Sequence, residues 1–281
     1  MRFGINTFLF VSPFTTESIH LFLQFKKWGF GSVEIALEDP AHIDAAVVRK
    51  ALDDNGLVCG SVCAALGPGR DLRGTEEEQQ TSLTYMKGVI DAMVVLSCPI
   101  LIGPLYSSVG RAEPTSAEDY QQQWKTVVGH LKTLAAYAKE KGCKLAIEPL
   151  NRYETDFINT SAQAVKMVNE VDSDALFVHL DSYHMNIEEK DSAKAILLAG
   201  SKLGHFHGCG SDRGTPGGDH INWDSIASAL KEINYDGDVV IESFTTDVKV
   251  IAKAASIWRQ FEPSQEDIAI KGLQFLEATL K

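Results

Sequence analysis

The fold class that the sequence predicts is α/β: a (β/α)8 barrel, one domain over residues 1–281, with an extra helix at the C-terminus. Three observations lead there. Eight short apolar runs alternate with longer amphipathic segments from end to end, the pattern of a parallel sheet with helical crossovers. The length of 281 residues suits one barrel of about 250 residues as well as it suits two smaller domains. The competing open, doubly wound sheet would carry a glycine fingerprint after its first strand. That position reads Asn6-Thr7-Phe8-Leu9-Phe10.

The strand candidates are 3–6, 32–35, 58–64, 100–103, 144–148, 176–181, 203–207 and 239–242, short and rich in Val, Ile and Leu, as strands buried on both faces should be. Helices are expected between them. Residues 17–28 carry Ile19, Leu21, Phe22, Leu23, Phe25 and Trp28, and residues 120–141 place Trp124, Val127, Val128, Leu131, Leu134 and Tyr137 on one stripe. Residues 161–171 and 223–233 behave alike. Ser161 and Asp224 are candidate starts, and Gly29, Gly56 and Gly142 candidate stops. Glu76-Glu77-Glu78 suits a solvated first helical turn. The stretch 265–280, with Ile268, Ile270, Leu273, Leu276 and Leu280, reads as a further helix packed on the outside. No linker, repeat or low-complexity segment interrupts this order.

Composition narrows the function. Lys plus Arg number 26 and Asp plus Glu 38, a net charge of −12. A field of that sign repels phosphate backbones, so no nucleic-acid partner is expected. Five scattered cysteines (Cys59, Cys63, Cys98, Cys143, Cys209) form no Cys-x-x-Cys pair and read as core residues of a reducing compartment. The N-terminus lacks a signal-peptide apolar core, and no run approaches 18 apolar residues. The expectation is a soluble cytoplasmic protein without membrane contact.

The last four strands end alike. Leu145-Ala146-Ile147 stops on Glu148, Phe177-Val178-His179-Leu180 on Asp181, Leu203-Gly204-His205-Phe206 on His207 and Val239-Val240-Ile241 on Glu242. In a barrel these ends converge on one face, where active sites sit. Three carboxylates and an imidazole buried together need a cation. The donor set suits one divalent ion, Mn²⁺, Mg²⁺ or Co²⁺, with positions left open for substrate. His179 and His205 share strand faces with Asp181 and His207, and are read as hydrogen-bonders inside the barrel. Beyond the strand ends lie the segments 149–154, 182–186 and 208–218, taken as loops. The last, rich in glycine, would present Arg213 to a neutral polar substrate. A phosphate cradle is the weaker reading, because the segment carries one arginine and opens into no helix N-terminus.

Four segments carry a specific resemblance: Glu148-Pro149-Leu150-Asn151-Arg152-Tyr153-Glu154; Asp181-Ser182-Tyr183-His184-Met185-Asn186-Ile187-Glu188-Glu189; His205-Phe206-His207 with Arg213-Gly214-Thr215-Pro216-Gly217; and Ile241-Glu242-Ser243-Phe244. Over its whole length the chain resembles the ketose 3-epimerases, the D-tagatose, D-allulose (psicose) and L-ribulose 3-epimerase group of the xylose-isomerase-like barrels. The resemblance implies that Glu148, Asp181, His207 and Glu242 bind one divalent metal, Mn²⁺ first, with Co²⁺ or Mg²⁺ as alternatives. It implies that Glu148 and Glu242 are also the catalytic acid/base pair, and that Glu154, His184 and Arg213 bind the substrate. A homodimer or homotetramer is expected. The chain departs from many members at Gly210-Ser211, where they have Glu-Asn, and at Phe10, where they have Trp; both positions are expected near the sugar.

The chemistry suits these residues. Loss of a proton beside a ketone creates an enediolate, which a metal on the neighbouring oxygens stabilises. Epimerisation removes a proton from one face and returns one to the other, so two bases on different strands are needed. Together with the resemblance, this makes the expected function epimerisation of a free ketose at carbon 3 through a cis-enediolate. The alternative is an aldose–ketose isomerase or an epimerase of a related or phosphorylated sugar. A nuclease would need more His and Asp ligands and a basic face, and a sugar-binding module would have no use for two bases. No nucleotide or organic cofactor is expected.

Overall fold

The computed structural model describes residues 1–64 and 66–281. Eight parallel strands close in sequence order: β1 (Arg2–Asn6), β2 (Ser32–Leu37), β3 (Val58–Ala64), β4 (Ile100–Gly103), β5 (Lys144–Ile147), β6 (Leu176–Asp181), β7 (Leu203–His207) and β8 (Asp238–Ile241), with β8 pairing back onto β1. Ten α-helices accompany them among the described residues: α1 (Phe22–Trp28), α2 (Ala45–Asp54), α3 (Glu76–Leu96), α4 (Ala117–Glu140), α5 (Ser161–Val171), α6 (Ser182–Glu188), α7 (Ser192–Ala199), α8 (Trp223–Glu232), α9 (Lys249–Ala254) and α10 (Gln265–Leu280).

The barrel forms because each strand is buried almost throughout and each helix buries one stripe. Helix α4 turns Trp124, Val127, Leu131, Leu134, Ala135 and Ala138 inward. Caps set the starts. Thr75 and Glu78 exchange hydrogen bonds in a capping box, with Glu76, Glu77 and Glu78 in the first turn as expected. Helix α5 begins at the expected Ser161 and α8 one residue before Asp224, with Thr160 and Asn222 as the caps, because these side chains accept from the N–H three residues on. Gly29 does end α1, at φ +105°. The expected helix over 17–28 begins as a tight 3-10 stretch, Thr16–Leu21, before α1 proper. The final helix α10 buries Ile268, Leu273, Leu276 and Leu280 and packs beside β1, β8 and α8.

Two irregularities position residues in the lumen. Opposite Val33-Glu34 of β2, the β3 ladder passes from Cys59 to Ser61, skipping Gly60. Opposite Val178-His179 of β6, the β7 ladder passes from Leu203 to His205, skipping Gly204. A Cβ at position 60 would lie 2.0 Å from Asp238 Oδ2, and one at 204 would lie 2.6 Å from Phe177 Cβ. Glycine is what lets both bulges form. All five cysteines are free and buried. Among the described residues, no helix is long and apolar enough to cross a membrane.

Candidate functional site

The four strand-end residues meet at one mouth of the barrel. Asp181 and His207 are the last residues of β6 and β7, paired in register, while Glu148 and Glu242 fall one residue past β5 and β8. Their exposures are 4% for Glu148, 1% for Asp181, 0% for His207 and 6% for Glu242, so water does little to offset their charge. His207 Nδ1 lies 3.4 Å from Glu242 Oε2 and 3.8 Å from Asp181 Oδ2.

Arg213 joins them. The segment 208–218 folds inward, and its guanidinium is buried, with Nη1 donating to Asp181 Oδ2 at 2.6 Å and to Glu242 Oε2 at 3.0 Å. The aromatic rings of Tyr183 and Phe244 lie 4.2 and 4.9 Å from its central carbon. Arg213 adopts φ +66°, in the left-handed region, inside a turn where Gly210 must lack a side chain. A Cβ there would sit 3.0 Å from the carbonyl oxygens of both Gly214 and Thr215. The Gly210-Ser211 departure thus belongs to the turn that aims Arg213. The arginine binds the carboxylates rather than lining an open phosphate cradle.

His184 is delivered by a helix, where a loop was expected. Asp181 Oδ1 accepts from the Tyr183 N–H at 2.7 Å and so caps α6; the carboxylate that ends the strand also starts the helix. His184 Nδ1 receives the Asn151 N–H at 3.0 Å, and His184 Nε2 lies 2.9 Å from Arg213 Nη2 and 3.7 Å from Glu148 Oε1. Glu154 is tethered to the same group, its Oε1 accepting from Asn151 Nδ2 at 2.7 Å. All seven sequence-predicted site residues are therefore brought into one cluster. Phe10 is not part of it: its ring packs on Phe25 and Trp28 of α1 at 5.0 and 5.7 Å. Phe8, two residues earlier, packs instead against lumen residues and the cluster of Phe244 and Val248.

The electrostatics are uneven. Burial and the neighbouring Glu242 push the Glu148 carboxyl well above the usual carboxylate range. Burial works in the same sense on Asp181, but Arg213 and His207 prevail and hold it far below its ordinary value. Burial, then Arg213, lowers His184. Glu148 Oε1 and His207 Nδ1 are both buried without a hydrogen-bond partner among the described residues; beside two further carboxylates, they are free to take a ligand. Two groups able to hold a metal ion meet here: Asp181, His207, Cys209 and Glu242; and Glu148, Asp181 and His184.

Sequence reasoning missed Glu34, Asn6 and Ser61. Glu34 is fully buried on β2, its Oε1 2.8 Å from His207 Nε2 and its Oε2 2.8 Å from His205 Nε2. Burial opposes its charge, but His207 and His205 hold its carboxyl well below the usual range. The available signal was a carboxylate inside an apolar run, which demands a partner. His205 thus serves as a barrel-interior neighbour, as expected. His179 stacks edge-on against His205 and His207 at 4.9 and 4.1 Å, yet neither of its ring nitrogens has a hydrogen-bond partner among the described residues.

Comparisons with known proteins agree with this fold. The family model described as xylose isomerase-like TIM barrel matches residues 22–279. The chain is 34% identical to a "Probable ketose 3-epimerase" of Synechocystis sp. over 99% of this chain and 96% of that one. It is 32% identical to an L-ribulose 3-epimerase of Methylomonas sp., over 89% and 87%. A solved structure of D-allulose 3-epimerase from Methylomonas sp. in complex with D-allulose superposes with a TM-score of 0.92 at 29% identity, covering 99% of this chain and 97% of that one. The chain belongs to the xylose isomerase-like TIM barrel family, in the branch that holds the ketose 3-epimerases.

Proposed function

We propose that this protein epimerises a free ketose at carbon 3 with one divalent metal ion, held by Glu148, Asp181, His207 and Glu242. The observation that carries the reading is the pair of buried, unpartnered acceptors, Glu148 Oε1 and His207 Nδ1, beside two further carboxylates at the barrel mouth. That donor set of oxygens and one imidazole nitrogen fits Mn²⁺, with Co²⁺ or Mg²⁺ as alternatives. When bound, such an ion supplies positive charge to the carbonyl and hydroxyl oxygens of the sugar as the neighbouring proton leaves.

The chain's own residues supply the rest. Glu148 and Glu242 follow the last residues of β5 and β8, three places apart in the eight-strand order, and in this reading they face carbon 3 from different sides. One takes the proton as a base while the other returns a proton to the opposite face, giving a cis-enediolate between the two transfers. Arg213 and His184 orient the carbonyl end of the sugar, and Glu154 accepts a hydroxyl hydrogen. The same reading takes residues 1–281 as one domain acting in the cytoplasm as a homodimer or homotetramer.

The test is a panel of free and phosphorylated ketoses incubated with Mn²⁺ and followed by NMR. The expected result is the carbon-3 epimer of a free ketose, with solvent deuterium entering at carbon 3. An aldose product, or turnover of phosphorylated sugars alone, would replace this reading.

A further inference from the structure

Beneath the strand-end residues lies a buried carboxylate that the proposed chemistry does not use. Every group facing Glu34 has a hydrogen to give. Oε1 accepts from Asn6 Nδ2 at 2.7 Å and lies 2.8 Å from His207 Nε2. Oε2 accepts from Ser61 Oγ at 2.5 Å and lies 2.8 Å from His205 Nε2. The orientation of the Asn6 amide is fixed independently, because its Oδ1 accepts from the Phe8 N–H at 2.8 Å. Its nitrogen must therefore face inward. There it shares its two hydrogens between Glu34 Oε1 and Glu242 Oε1, the latter at 3.0 Å.

The backbone is shaped to deliver this arrangement. Asn6 pairs with Glu34 in the β1–β2 register, and Glu34 with Ser61 in the β2–β3 register. The residue after each skipped glycine, Ser61 after Gly60 and His205 after Gly204, is one that touches Glu34. Strands β3 and β7 stand opposite one another in the eight-strand order. Two bulges on opposite walls thus converge on a single carboxylate, which is more than burying a stray charge requires.

The consequence falls on His207. A carboxylate only accepts, so the imidazole nitrogen against it, Nε2, carries the ring hydrogen. In the neutral ring the lone pair is then left on Nδ1, which faces Asp181 and Glu242 and has no hydrogen-bond partner among the described residues. The rings of His179 and His205 pack edge-on against His207 at 4.1 and 5.1 Å.

We propose that Glu34 is a positioning residue for the metal centre: it fixes the tautomer and tilt of His207 so that Nδ1 meets the ion, and through Asn6 it holds Glu242 in place. The proposal rests on His207 being a metal ligand. A carboxylate behind a ligating imidazole also raises its basicity, and losing such a partner typically weakens metal binding about 10–100-fold.

The experiment is titration calorimetry of Mn²⁺ into the full-length, metal-free protein, with melting of the same samples, for wild type, Glu34→Met and Glu34→Gln. Glu34→Met is expected to weaken Mn²⁺ binding about 10-fold or more. Glu34→Gln should shift it less in the same direction, because its amide oxygen still accepts from Asn6 and His207. Ketose KM at saturating Mn²⁺ should stay near wild type. A fall in melting temperature with unchanged Mn²⁺ affinity in both variants overturns the proposal, since Glu34 would then only support the core. Should Glu34→Met fail to fold, Glu34→Gln and the imidazole ¹⁵N spectrum of Mg²⁺-loaded wild type decide. The expected spectrum shows His207 with hydrogen on Nε2 and none on Nδ1; hydrogen on Nδ1 overturns the proposal. Wild type that binds no divalent ion overturns the reading of the whole site, whereas tight wild-type binding unchanged in the variants removes the role of Glu34 alone.

Discussion

Glu34 and Glu148 are both buried glutamates of one barrel, and their surroundings are opposite. Glu34 meets hydrogen-bonding partners in Asn6, Ser61 and His207, with His205 Nε2 2.8 Å away, and is held well below the carboxylate range once burial is overcome. Glu148 has one oxygen with no partner and is pushed well above that range. The same side chain is saturated in the lumen and left open one layer higher. Where a fold satisfies a buried charge from its own donors, the charge organises its neighbours. Where it does not, the group is pushed toward its neutral form or left open to a ligand.

The largest expected effect breaks the comparison at its open end. Exhaustive chelation should abolish turnover, and Mn²⁺ or Co²⁺ should restore it. Mn²⁺ at about 100 times its dissociation constant should stabilise the fold by about 2.7 kcal/mol, read as a rise in melting temperature. Full activity with no metal detected by elemental analysis would remove the ion from the site.

Next come the two bases. Glu148→Gln and Glu242→Gln keep shape and one coordinating oxygen but cannot take a proton. Each should lose about 10²–10⁴-fold in epimerisation in both directions, with bound metal measured directly. Each variant should still exchange solvent deuterium into carbon 3 of one epimer, and the two should select opposite epimers. Exchange into the same epimer by both would mean that one base serves both faces.

Arg213 sharpens the contrast from the side of the two carboxylates it bridges. Its guanidinium bridges Asp181 and Glu242. Arg213→Ala strips a partner from buried carboxylates and should cost the metal-free fold about 3–5 kcal/mol. The Mn²⁺-induced rise in melting temperature should therefore be larger than in wild type. Equal metal-free melting temperatures would show that the bridge carries no stability. The smallest effect is expected at the rim. Glu154→Gln and His184→Ala should spare Mn²⁺ affinity and lower kcat/KM by about 1–3 kcal/mol each; a loss of metal binding would move them among the ligands.

How much of this was legible in the sequence depends on where each residue sits in its run. Glu148, Asp181, His207 and Glu242 each stop an apolar run, and the barrel rule places such stops on one face. Glu34 sits between Val33 and Ile35, where no run ends, so the same rule passes over it. Its role depends on register, and register depends on bulges at Gly60 and Gly204 whose positions no periodicity reveals. Helix α6 was hidden for another reason. Asp181 has two tasks, and seven residues following a strand give too little pattern to mark a helix. The long elements were plain: α5 runs over Ser161–Val171 and α10 over Gln265–Leu280, as their stripes predict.

The Asn6–Glu242 hydrogen bond spans 236 residues of chain. It forms only where β8 closes onto β1, the last seam of the barrel in sequence order. Bringing such distant segments together carries the loop-closure entropy of nearly the whole polypeptide. A nascent chain still lacking β8 has neither that bond nor Glu242, and cannot present the full ligand set. On the proposed ligand set, capture of the ion comes late in the life history of each molecule, as a seal on a finished barrel rather than a template for building one.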